Sequence, residues 1–285
     1  MASFDDSCGD LSADSDNMGN FNPVQQDSQS EITTDLDDLV HSFHNELSIE
    51  STVTQQGGDR PKYKMTSIPR GICLIINNIK FRGKRKLEER TSSEIDEDKL
   101  KRVFKNLGFI VEVKRNQTAQ EMKNVMDEMR RRDHSQYDCF VCCLLSHGRL
   151  GEVAGSDGEM CNVLQLAGNL RADKCESLNA KPKVFFIQAC RDKKMGDGSL
   201  HKYFDYADFL FGYSTTPLKK SFRPQTGSHF ITNLTKYLEE RHDTDHILDI
   251  LTQVNYEVGK WGLEDKKQAP APQYTLRKDL YFPSV

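Results

Sequence analysis

No lysine or arginine occurs before Arg60. The same stretch holds thirteen Asp and Glu, and the rest of the 285-residue chain is net +9 under an overall charge of −4. So acidic and apolar-poor a segment cannot bury enough surface to offset its ordering entropy, so residues 1–65 are expected to form a disordered acidic tail. Within it, Leu36, Leu39, Val40, Phe43 and Leu47 keep helical spacing over Glu31 to Ile49, enough for a transient amphipathic helix. Gly57-Gly58-Asp59-Arg60-Pro61 reads as a linker.

Long hydrophobic runs are missing too. The longest, Cys139 to Leu145, falls far short of the roughly 20 residues that cross a bilayer. The amino terminus lacks the basic-then-apolar pattern of a secretory signal. Basic residues are not interleaved with aromatics, so the positive body does not point to nucleic acid. An acidic peptide substrate accounts for it as well. Of eight cysteines, Cys73, Cys139, Cys142 and Cys143 lie inside apolar runs, where a free thiol acts as a small hydrophobe. The expectation is a reduced, cytoplasmic protein.

The body alternates strand and helix signals, which predicts an α/β fold with a mostly parallel six-stranded sheet flanked by helices. Strands are predicted over 71–77, 109–113, 138–145, 183–189, 207–213 and 273–282. Helices are predicted after Ser93, over 118–129, 163–170, 230–240 and 246–258, and a hairpin around Ser156-Asp157-Gly158.

Two strand ends carry chemistry. Lys183 to Ala189 is apolar enough to be buried on both faces, and it ends in Gln188-Ala189-Cys190-Arg191. A cysteine at the carboxyl end of a central parallel strand sits where α/β folds place their ligands. Val141 to Ser146 likewise ends in His147-Gly148. A thiolate nucleophile needs a neighbouring base, and neighbouring strands would supply one.

Gln-Ala-Cys-Arg resembles the active-site signature of caspases, aspartate-specific cysteine proteases, and Leu-Leu-Ser-His-Gly resembles their histidine motif, 43 residues upstream. The fifth signature position is Asp192 where the family has glycine. The resemblance covers about residues 65–285 and is most like a short-prodomain effector caspase of apoptosis. It implies that His147 and Cys190 are catalytic. The N–H groups of Gly148 and Cys190 would form the oxyanion hole. Arg90, Gln188 and Arg223, with Ser221 and Phe222, would bind substrate, the two guanidinium forks gripping an aspartate carboxylate. It implies a zymogen cut at Asp197 into a large subunit, 66–197, and a small one, 198–285, with tail cleavage at Asp59 or Asp16. Implied partners are a second copy of the body, joined edge to edge through 274–282, an activating initiator caspase and inhibitor-of-apoptosis proteins. No cofactor, nucleic acid or membrane is implied. Lys220, Phe222 and His229 depart from the residues usual in effector caspases, so the neighbouring subsites should differ.

Two alternatives remain. Asp192 would oppose thiolate formation, which suits a catalytically weak homologue regulating an active caspase. A metal site from Cys139, Cys142, Cys143 and His147 is disfavoured, because alternate strand residues point to opposite faces.

Overall fold

The computed structural model describes residues 60–83, 87–191, 206–216, 226–261 and 268–284. The chain divides into two compact units, Met1–Gly58 and Asp59–Val285. All described residues belong to the second. The expected tail helix, together with Asp16, Asp59, Asp192, Asp197, Lys220, Ser221, Phe222 and Arg223, lies outside the described residues.

The elements run β1 (Gly71–Asn77), α1 (Ser93–Asn106), β2 (Phe109–Arg115), α2 (Ala119–Arg131), β3 (Cys139–Leu145), β4 (Gly148–Arg149), β5 (Glu152–Ala154), β6 (Met160–Asn162), α3 (Val163–Ala167), β7 (Lys183–Gln188), β8 (Phe209–Tyr213), α4 (His229–Arg241), α5 (Ile247–Gly259) and β9 (Ala271–Tyr274). Six strands form one sheet in the order β2-β1-β3-β7-β8-β9, and β4-β5-β6 form a small separate sheet. All pairings in the large sheet are parallel except β8 with β9.

Every residue of β1, β3, β7 and β8 is buried. Helices on both faces cause this. Cys73, Ile75, Val141, Cys143, Val184 and Phe186 pack with α1, α4 and α5. Their sequence neighbours Ile72, Leu74, Phe140, Cys142, Phe185 and Ile187 pack with α2, α3 and the small sheet. The strands are therefore continuous apolar runs without polar alternation. The methionine face of α2 is sunk into the second layer, and its start is fixed by a capping box in which Thr118 and Glu121 bond each other's backbone.

Four expectations are corrected. The last strand does not run over 273–282. It stops at Tyr274, and Leu280 and Phe282 enter the α4–α5 corner instead, where Ile247 N donates to Leu280 O (2.9 Å) and Phe282 N to His242 O (3.1 Å). Their alternating apolarity reflects burial against helices rather than sheet pairing. The helix expected after Ser93 starts at Ser93 itself, whose buried hydroxyl donates to Asn77 Oδ1 at 2.8 Å. The helix over 163–170 is α-helical only to Ala167 and finishes as a 3-10 turn, Gly168–Leu170. Finally, Tyr63 and Met65 are buried in the core, and Tyr63 Oη donates to Asp208 Oδ1 at 2.7 Å, so the folded body takes in residues placed in the tail by composition.

Candidate active site

Strands β3 and β7 are parallel neighbours with Leu145 level with Gln188, and Ser146 N donates to Gln188 O at 3.2 Å. His147 and Cys190 each lie two residues beyond that rung, so both motifs leave the sheet together at its carboxyl edge.

Of the seven described cysteines, Cys190 alone is partly exposed. Burial pushes the thiols of Cys73, Cys139, Cys142 and Cys161 up, which keeps them protonated and poor nucleophiles. Cys139 and Cys143 face one helical layer and Cys142 the other, so they do not converge with His147 on a metal. Among the described residues, no cluster of His, Cys, Asp and Glu has metal-site geometry, and no helix is long and apolar enough to cross a membrane.

His147 Nε2 lies 2.8 Å from Glu88 O, and Phe81 packs against its ring at 4.9 Å between centroids. A carbonyl only accepts, so Nε2 carries the hydrogen and the basic lone pair of the neutral ring is on Nδ1. The carbonyl thus fixes both tautomer and ring orientation.

Gly148 lies against the Ala189-Cys190 segment. A Cβ there would come within 2.6 Å of Glu152 O, 2.9 Å of Ala189 Cβ and 3.1 Å of Cys190 O. Two of these are backbone oxygens and cannot swing aside. Gly148→Ala is therefore expected to cost about 1–3 kcal/mol as overpacking and to separate the two motifs. Chemical denaturation, run alongside an activity assay, measures both effects.

Arg90 is only 2% exposed and sits at the end of β1, with its Nη1 donating to Asn78 O (2.9 Å) and Ser93 Oγ (3.0 Å). Gln188, also 2% exposed, shares the strand parity of Val184 and Phe186 and so belongs to the face that α1 covers. Arg191, within the signature, is turned to packing: its guanidinium lies 4.0 Å from the Tyr213 ring centroid and donates to Thr215 O at 3.3 Å, tying the end of β7 to β8. His229 opens α4 and stacks on the half-exposed Trp261 at 4.5 Å, and burial lowers its pKa.

Three contributors had no signal in the sequence. Glu88 acts through its carbonyl, which any residue has. Asp96, fully buried on α1, accepts from Ser228 N at 2.8 Å, and Lys99 donates to Thr226 O at 3.2 Å, so α1 clamps the residues that follow 217–225. Asn78 is likewise buried, among contacts distant in sequence.

A family model for the caspase domain matches residues 70–281, from the start of β1 past the end of β9. This chain belongs to the caspase family. It is 38% identical to caspase-8 of Mus musculus over 252 residues, covering 78% of this chain and 52% of that protein. It is 34% identical to caspase-3 of Bos taurus over 260 residues, 84% of this chain and 93% of that protein. With caspase-7 of Gallus gallus it shares 35% over 247 residues, 78% and 80% of the two chains. The chain thus spans about half the length of the caspase-8 it matches and most of the two shorter caspases.

Proposed function

We propose that the chain is a cysteine endopeptidase that cuts after aspartate, is made as a zymogen and promotes apoptosis. The observation that carries this is the level exit of β3 and β7, which sets the His147-Gly148 backbone against Cys190 while Glu88 O orients the imidazole.

His147 Nδ1 takes the Cys190 proton, and the thiolate attacks the scissile carbonyl. The oxyanion is received by the N–H groups of Gly148 and Cys190. The imidazolium then protonates the leaving amine, and water, activated by the same imidazole, hydrolyses the thioester. Arg90, Gln188 and Arg223, flanked by Ser221 and Phe222, hold the aspartate carboxylate, its negative charge matched by the basic body. Cleavage at Asp197 separates a piece bearing Arg90, His147 and Cys190 from one bearing Arg223. Asp59 or Asp16 releases the tail. An initiator caspase would make the first cut, and inhibitor-of-apoptosis proteins would act on the exposed site. Two bodies pair at the open edge of β9, where Tyr274 is 54% exposed, rather than along 274–282.

The test is a fluorogenic peptide screen on purified protein, with Asp, Asn or Glu before the scissile bond. Aspartyl peptides should be cleaved selectively, and mass spectrometry should find two co-purifying fragments with a new amino terminus at Gly198. A folded protein that cleaves none of them but binds an active caspase would instead be the regulatory homologue.

A further inference from the structure

Ser146 precedes the histidine and points, by strand parity, to the face away from it: Phe140, Cys142 and Leu144 share its side. It is 4% exposed, so it is almost wholly withdrawn from the surface. Its hydroxyl donates to Ala154 O at 2.6 Å. The same oxygen accepts from Asn78 Nδ2 at 2.9 Å, so both of its lone pairs are used. On the other side of that residue, Ala154 N donates to His147 O at 2.8 Å. Asn78 is itself held from three directions. Its Oδ1 accepts from Gln117 N (2.8 Å), its N donates to Leu145 O (2.8 Å) and its O accepts from Arg90 (2.9 Å).

We infer that Ser146 and Asn78 are positioning residues for His147, acting through the backbone of Ala154. The inference rests on His147 being the general base. Glu88 O sets the ring from the front. The Ala154 clamp sets the histidine backbone from behind, and a base must be held to within about 0.5 Å to work. Because Asn78 O also binds Arg90, one residue references the base and the proposed carboxylate-binding arginine to the same strand end.

Ser146→Ala removes one oxygen and leaves Ala154 O one donor, so the fold should survive; Asn78→Ala and the double variant act more strongly. Each is made in the full-length chain. Active sites are counted by Cys190 alkylation, and kcat and KM are measured per site. The expected result is a fall in kcat of about tenfold with KM unchanged for Ser146→Ala, and a fall in kcat moving toward a hundredfold for the double variant, since small displacements act on this scale. Iodoacetamide labelling of Cys190 against pH should shift to higher pH, because a displaced imidazole stabilises the thiolate less. Unchanged kcat per site and an unchanged labelling profile in folded Ser146→Ala would overturn the inference, as would a loss confined to the unfolding midpoint. If the wild type hydrolyses no peptide, the proposed function fails, and the labelling profile alone decides the clamp.

Discussion

Cys190→Ala and His147→Ala are each expected to lower aspartyl-peptide hydrolysis by about 10⁴-fold or more, the scale on which losing a nucleophile or its base acts in other hydrolases. Both side chains lie beyond the strand ends and both residues are only partly buried, so neither change empties a core position. Unfolding midpoints should stay near wild type. The double variant should be scarcely worse than either single one, because the two groups act as a unit. Loss of activity accompanied by unfolding would assign these residues to structure instead.

Arg90→Ala should be the next most damaging change. A substrate carboxylate left half-paired in a desolvated pocket costs about 2–5 kcal/mol, or roughly thirtyfold to several thousandfold in kcat/KM. Part of the damage is structural, since Asn78 O and Ser93 Oγ lose their donor. Arg90→Lys separates the two contributions: lysine keeps the charge but cannot present a planar fork, so it should recover little activity. The decisive measurement is kcat/KM per alkylatable Cys190 for aspartyl peptides. A value within a few-fold of wild type would remove Arg90 from the pocket.

Much of this arrangement was legible because it is local. Residues 72–76 and 184–187 are unbroken apolar runs, and a strand buried on both faces leaves that trace. Thr118 with Glu121 writes a helix start within four residues. Cys190 and His147 stood out because each follows an apolar run where a parallel strand must end, within a motif that resembles a caspase signature. What was misread or missed is non-local. Leu280 and Phe282 alternate like a strand, yet their partners are Ile247 and His242, more than thirty residues away. Ser93 bonds Asn77, across the loop that carries Arg90. Glu88, Asn78 and Asp96 contribute through backbone groups or buried polar contacts to distant segments, and neither composition nor periodicity marks such contacts.

The order in which the sheet is laid down bears on how the chain is made. β2, β1, β3 and β7 are mutual neighbours and are all synthesised before residue 192, together with α1, α2 and α3. The layer over Ile72, Leu74 and Phe185 can therefore close early except for Tyr206 and the β8 residues Phe209, Phe211 and Tyr213. The opposite layer cannot, because α4 and α5, which cover Val141, Val184 and Phe186 beside α1, come from the last sixty residues. Until they leave the ribosome the nascent chain carries an apolar face with only one of its three helices in place. A fragment ending ahead of His229 would leave that face uncovered and is expected to aggregate rather than form a smaller folded domain.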